Sequence, residues 1–439
     1  MVMTNPRPSE VELVRAIGRW TLVALTVNSI LGSGIFGLPS VIAAVLGNLS
    51  PWAVLLAGAA MAVIVSCYGE VASQFAETGG TYLYIRHAFG RFAGLQVGWM
   101  TLLSRFTACA AAANLLVVYT GEFWPEATHT VPRFMIITVF VGTLAIVNYR
   151  GVGAGALVSN VSVVAKLLAL GLVCALGAGY LIAHPAVPMA APSAEWDGWL
   201  KAILLLFFAY GGYEAALNPM GEAKNPRRDA AFALFVALII VTLLYTVLQF
   251  IVVGVLPDPA HSDRPLADAA RIFIGRPGAA LIAAGALISV YGYLSANLLT
   301  GPRAMFALAE FGDFPALFAA VHPRMRTPYV AIAVFALLIW IFALFGSFSW
   351  NVTLSAVARL AYYGAVCAAV PVLRRKQPGA ATFRVPGGPI LPILGMVICT
   401  ALLTRVDFTK SLILVATIVI ALVNWLAVRN RGALRAEAS

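Results

Sequence analysis

The residues able to do chemistry in this chain are few, and they sit isolated in apolar sequence. Lys166, Glu214, Arg105, Arg359 and Glu70 lie inside long hydrophobic runs. Gly32-Ser33-Gly34 interrupts the run from Trp20 to Leu46, and Gly211-Gly212 interrupts the run from Leu200 to Gly221. An ionisable group inside a membrane is expensive, which makes each of the five charges a functional candidate. A helix broken halfway across a bilayer leaves N–H and C=O groups unpaired, and hydrocarbon tolerates these only where they line a polar cavity. Two such breaks at corresponding places in two halves of a chain point to the substrate site of a secondary transporter. The chemistry predicted is reversible binding of a small polar solute by main-chain dipoles and a few charges.

Other chemistries find no support. The five cysteines, Cys67, Cys109, Cys174, Cys367 and Cys399, lie in apolar spans without a CxxC pair or a Cys/His cluster, so neither disulfide nor metal is expected. The five histidines sit in loops or at span edges, so a proton crossing the interior must use another side chain. No GxxxxGK[ST] phosphate loop occurs, which excludes ATP drive by this chain. No enzyme activity, cofactor, metal or obligatory protein partner is expected.

The elements that position these residues follow from composition. Of 439 residues, 61% are hydrophobic and 11% charged, with mean hydropathy +0.90, values that no soluble domain of this size reaches. Apolar runs long enough to cross a bilayer, roughly 17–25 residues each, begin near Trp20, Pro51, Phe92, Arg133, Ala154, Gly198, Ala230, Pro277, Pro328, Trp350, Gly387 and Lys410. The expectation is an all-α polytopic membrane protein of about twelve helices. At a rise of about 1.5 Å per residue, Lys166 lies roughly 18 Å into its span, and both glycine breaks come out near the same depth. Arg105 and Arg359 also fall near the centre, whereas Glu70 falls toward the cytoplasmic end of the second span, where pairing with a basic neighbour is expected. Placing the N-terminus inside puts 19 of the 29 lysines and arginines on the cytoplasmic side and seven outside. That predicts both termini cytoplasmic in the cell membrane, and it explains the net charge of +11 by topology and lipid headgroups without nucleic acid. The first 19 residues lack the apolar core and cleavage site of a signal peptide.

The first break with its context, Val27-Asn28-Ser29-Ile30-Leu31-Gly32-Ser33-Gly34-Ile35-Phe36-Gly37-Leu38-Pro39, resembles the first helix of permeases in the amino acid/polyamine/organocation (APC) superfamily. Phe207-Phe208-Ala209-Tyr210-Gly211-Gly212-Tyr213-Glu214, running into Gly221-Glu222-Ala223-Lys224-Asn225-Pro226-Arg227-Arg228, is similar to that family's sixth helix and its exit. Tyr68-Gly69-Glu70, Gly79-Gly80-Thr81-Tyr82, Gly98-Trp99 and the stretch from Arg303 to Pro315 extend the likeness over essentially the whole chain. The resemblance implies a leucine-transporter-like fold, a five-plus-five inverted repeat with broken helices 1 and 6 followed by two peripheral helices. The segments are a cytoplasmic N-terminal stretch 1–19, a first repeat 20–183, a second repeat 184–373, peripheral helices 374–428 and a tail 429–439. Direct repetition between the halves is visible only in the two glycine breaks.

Physical roles follow for each matched piece. Free N–H groups around Gly32, Ser33, Gly34 and Ile35 at a helix N-terminus favour the substrate carboxylate. Carbonyls freed around Ser29, Ile30, Phe208, Ala209 and Gly211 can accept from an α-ammonium. By resemblance Phe208 is an aromatic lid, and Tyr213 borders an apolar side-chain pocket suited to a neutral substrate. Lys166 resembles a fifth-helix lysine whose ammonium, in sodium-independent members, projects to where sodium-dependent relatives bind an ion, and a buried lysine can also carry a proton. Glu214 pairs with Arg105 or Arg359 as a fixed internal ion pair, binds a cationic side chain, or takes part in proton coupling. The function implied is secondary, sodium-independent amino acid transport by proton symport or exchange. The competing readings are a cationic amino acid or polyamine exchanger using Glu214, a non-transporting amino acid sensor, and a channel, which the scarcity of intramembrane charge disfavours.

Overall fold

The computed structural model describes residues 17–77, 79–151, 155–184, 195–218 and 220–429, with the side chains of 155–163 outside that description. The expected N-terminal stretch up to residue 16, the span start at Ala154 and the tail beyond 429 therefore lie outside the described residues. The rest is helical. The order is α1 (Arg19–Ile30), α2 (Gly34–Leu46), α3 (Ser50–Ala72), α4 (Gly80–Phe89), α5 (Arg91–Thr120), α6 (Thr130–Tyr149), α7 (Gly155–Ala183) and α8 (Trp196–Tyr210). It continues with α9 (Tyr213–Ala216), α10 (Pro226–Val255), α11 (Pro265–Ile274), α12 (Arg276–Glu310), α13 (Tyr329–Phe345), α14 (Phe348–Lys376), α15 (Ile390–Leu403) and α16 (Phe408–Val428).

Each apolar run of the sequence is a helix or a broken pair of helices, starting within a few residues of its predicted position. Among the described residues, eight helical stretches are long and apolar enough to cross a membrane, one of them running through α2 and α3 from Gly34 to Ala72. The shorter α13 and α15 are also apolar, and α1 and α8 are the leading halves of the two interrupted spans. The outer surface is apolar where a soluble protein would be polar: Val139, Leu168, Leu243 and Val423 are all more than half exposed. Water cannot accommodate such a belt, and lipid can. The chain is a multi-pass all-α membrane protein.

Two short helices add to the sequence reading. The Gly79-Gly80 pair opens α4, since α3 has already stopped at Ala72. Gly80 has φ of +54°, and a β-carbon there would meet Asn218 Oδ1 at 2.5 Å. The polar stretch after Pro257 folds partly into α11, which packs on α12. Pro226 starts α10, and the Asn225 side chain makes no capping bond.

The core is built by α14 against α5, α10 against α3, α12 against α7 and α5, and α1 against α10. Polar pairs fasten its ends. At the end where α5 and α10 begin, Glu70, fully buried, receives Arg374 Nε at 2.6 Å, Arg374 Nη2 at 2.7 Å and the Val385 N–H at 2.7 Å. Asp313, also buried, is held by Tyr82, Arg86 and Arg91. At the other end Arg133 donates to Asn114 Oδ1 and to the carbonyls of Ala343 and Gly346. Ile17, two residues before α1, is stitched to the chain leaving α9. Ile17 N–H donates to Glu222 O at 3.0 Å, Lys224 N–H donates to Ile17 O at 2.9 Å, and Arg19 reaches Asp229 at 3.1 Å while stacking on Phe232.

Candidate functional site

Both glycine segments are breaks. Helix α1 stops at Ile30 and α2 starts at Gly34; α8 stops at Tyr210 and α9 starts at Tyr213. Gly212 turns the chain with φ of +110°, a conformation that only glycine adopts without strain. The two breaks also face each other. A β-carbon on Gly34 would lie 3.0 Å from Ala209 Cα, and one on Gly212 would lie 2.4 Å from Ser29 O. The absence of side chains at these positions is what lets the two backbones meet. The inner half of the second broken span is shorter than the apolar run suggests, because the sequence places Pro219 after Asn218 and disfavours helix there.

At the start of α2 the N–H groups of Ser33, Gly34 and Ile35 donate to no described residue, and the Ser33 hydroxyl is buried without a partner. These donors, at the positive end of the α2 dipole, form a cradle for an anion. The carbonyls are more occupied than the sequence suggested. Tyr245 Oη donates to Ile30 O at 3.3 Å and Ala209 O at 3.1 Å, so one phenol ties the two breaks together. Phe208 O accepts from Arg359 Nη1 at 3.1 Å and from Gly211 N–H at 3.2 Å. The Ser29 and Gly211 carbonyls accept from no described residue.

Lys166 is buried and bonded at the first break: its ammonium donates to Leu31 O at 2.8 Å and Asn28 O at 3.1 Å. The sites are the last carbonyls of α1, where a helix exposes acceptors and a cation is favoured. Glu214 sits beyond the second break. It accepts from the Gly212 N–H at 2.9 Å, Tyr362 Oη at 2.7 Å and Tyr363 Oη at 3.1 Å, and it lies 3.9 Å from Arg359 Nε. Of the two arginines considered for it, Arg359 is the partner. Arg359 also takes a bond to Ser104 Oγ at 3.1 Å, lies over the Phe208 ring at 5.4 Å, and fills the space a side chain on Gly211 would need. Ser104 is fixed in turn by Ser355.

Phe208 is buried against Gly34 and Arg359. Tyr213 is buried edge-on to Tyr68 and stacked with Tyr363. Arg105 stands apart from the Glu214 pair, on α5 beside Cys109. Glu70 is occupied by Arg374, the basic neighbour that its depth predicted. The residues that sequence reasoning missed are tyrosines: Tyr245, Tyr362, Tyr363, Tyr68 and Tyr293, whose ring would meet a β-carbon on Gly32 at 3.6 Å. A hydroxyl in an apolar span needs a buried partner, and that signal is present in the sequence.

Comparison with known proteins identifies the family. A family model described as amino acid permease matches residues 17–427. The chain is 28% identical to the branched-chain amino acid permease BcaP of Bacillus subtilis, covering 94% of this chain and 93% of that protein. It is 28% identical to the methylthioribose transporter of the same organism, over 88% and 87% of the two chains. With its serine/threonine exchanger SteT the identity is 27%, over 88% and 89%.

Proposed function

Because the chain belongs to the amino acid permease family, we propose that it is a sodium-independent secondary transporter of neutral amino acids, moving them by alternating access through proton symport or exchange. The observation that carries this reading is the apposition of two broken spans with the Lys166 ammonium bonded to the carbonyls at the end of α1. In this reading the substrate carboxylate sits on the free N–H groups of Ser33, Gly34 and Ile35 and on the Ser33 hydroxyl, and the α-ammonium goes to the open carbonyls of Ser29 and Gly211. Lys166 supplies the positive charge that an ion would otherwise bring. Phe208 closes over the substrate and Tyr213 borders its side chain. Residues 20–183 and 184–373 form the two repeats, 374–428 the peripheral helices, and both termini face the cytoplasm of the cell membrane.

One feature supports a neutral over a cationic substrate. Glu214 already accepts three hydrogen bonds and faces Arg359 at 3.9 Å, so a cationic side chain would have to displace one of these partners. The test is uptake of labelled leucine, serine and lysine into proteoliposomes, with and without sodium, with an imposed pH gradient, and with unlabelled amino acid inside. Sodium-independent uptake of the neutral substrates, stimulated by the proton gradient or by internal amino acid, is expected. Binding in a thermal-shift assay without uptake would instead make the protein a sensor.

A further inference from the structure

Both breaks end on a buried cation. The last carbonyls of α1, Asn28 O and Leu31 O, take the Lys166 ammonium of α7. The Phe208 carbonyl, in the last turn of α8, takes the Arg359 guanidinium of α14 at 3.1 Å. A helix C-terminus exposes acceptors and favours positive charge, so each cation is matched to its place. With each broken pair counted as one span and the short α4 and α11 left aside, α7 is the fifth span within residues 20–183 and α14 the fifth within 184–373. The two cations thus come from corresponding spans of the two halves.

Two observations separate Arg359 from a mere counter-ion of Glu214. Its Nε stands 3.9 Å from Glu214 Oε1, beyond hydrogen-bond length, whereas Arg359 bonds to Phe208 O and to Ser104 Oγ are each 3.1 Å. The guanidinium is therefore aimed at the helix end, and Glu214 takes its own hydrogen bonds from the Gly212 N–H, Tyr362 and Tyr363. Space for the guanidinium is also built into the break. Gly211 has φ of −75°, which any residue adopts, yet a β-carbon there would lie 1.5 Å from Arg359 Nη1. Gly212 is needed for its backbone angle, and Gly211 for the room it leaves to this arginine.

We propose that Arg359 is the second tethered cation of the site, the counterpart of Lys166, and the positioning residue for Phe208: it holds the main chain of that residue while lying over its ring at 5.4 Å. The inference rests on the transport reading above, which makes Phe208 the lid. A hydrogen bond from a charged donor biases a conformation roughly ten- to hundredfold, and apparent affinity falls with the population of the binding-competent state.

The experiment measures the KM for the labelled neutral amino acid, leucine or serine, that wild type takes up better in proteoliposomes. The variants are Arg359→Ala, Arg359→Lys, Glu214→Gln and the double variant Arg359→Ala/Glu214→Gln, with and without millimolar guanidinium chloride. KM does not depend on the amount of protein inserted. Arg359→Ala raises KM about ten- to hundredfold, Arg359→Lys raises it less, and guanidinium ion, refilling the space beside Gly211, lowers the KM of Arg359→Ala toward wild type. The double variant, relieved of an unpaired buried carboxylate, still shows a KM raised at least about tenfold over Glu214→Gln, because Phe208 O remains without its cation. A double variant within twofold of Glu214→Gln overturns the inference, since Arg359 then serves only to balance Glu214. So does an Arg359→Ala variant within twofold of wild type, or one whose KM guanidinium leaves unchanged. Failure to recover either arginine-to-alanine variant folded makes Arg359 a fold determinant and overturns it as well. These outcomes leave the transport reading standing, whereas a wild type that takes up none of leucine, serine and lysine removes that reading and this inference with it.

Discussion

Replacing Lys166 with methionine keeps most of the side-chain length and removes the ammonium that holds the end of α1. The wild-type ammonium makes two hydrogen bonds, at 2.8 and 3.1 Å, to Leu31 O and Asn28 O. Each bond to a charged donor is worth about 1.5–3 kcal/mol, or about 3–6 kcal/mol for the two. Burying an ammonium costs several kcal/mol in return, so global stability should change by no more than about 2 kcal/mol. The local effect differs, because these bonds fix the carbonyls next to Gly32 and hence the direction in which α2 begins. If about 3 kcal/mol of the gross term holds the binding-competent geometry, its population falls roughly hundredfold without Lys166. Uptake by Lys166→Met, normalised to inserted protein, should therefore drop on the order of hundredfold while size-exclusion behaviour and the unfolding midpoint stay close to wild type. Uptake within about threefold of wild type would show that the ammonium does not organise the site. Loss of monodispersity would mean that the lysine is a fold determinant instead.

Gly212→Ala must either leave φ of +110° or push a β-carbon to 2.4 Å from Ser29 O; a cost of about 2–3 kcal/mol at the break is expected, read as lost uptake with protein still recoverable from the membrane. Tyr245→Phe removes the hydroxyl shared by Ile30 O and Ala209 O, about 1 kcal/mol per bond, and should weaken substrate affinity about tenfold in a thermal-shift titration. Glu214→Ala leaves the buried Arg359 without its carboxylate and should destabilise by about 3–5 kcal/mol, whereas Glu214→Gln also loses the charge but keeps the side-chain volume and one acceptor oxygen, and should lie between Glu214→Ala and wild type in thermal unfolding. Arg374→Met strands the fully buried Glu70; with Arg374 itself partly exposed, a loss of about 2–4 kcal/mol is expected, seen in yield and unfolding midpoint, with substrate binding by the recovered protein unchanged.

The fold was readable where a rule concerns continuous stretches. Apolar runs of bilayer length appear as helices because hydrocarbon leaves the backbone no alternative, and glycine at mid-run marks the breaks because two main chains approach there more closely than any side chain permits. The pairing of Glu70 with a basic neighbour followed from its depth. Less was readable where the answer depends on which helices become neighbours. Nothing in the spacing of Glu214 and Arg359 distinguishes that pair from Glu214 and Arg105; the choice is made by the packing of α14 on α5 and α8. Likewise Tyr245 lies in an ordinary apolar run, and its role emerges only when α10 brings one hydroxyl to two carbonyls from distant parts of the chain. Helices α4 and α11 are short and flank polar loops, so hydropathy alone does not reveal them.

The ladder between Ile17 and the residues after α9 has a mechanical result. Two main-chain bonds and the Arg19 clasp on Asp229 fasten the lead-in of one interrupted span to the lead-out of the other, while the Tyr245 phenol joins the end of α1 to the end of α8 at mid-depth. Fastened at its start to the chain after α9 and at its end to α8, α1 cannot tilt without loading both halves of the other interrupted span.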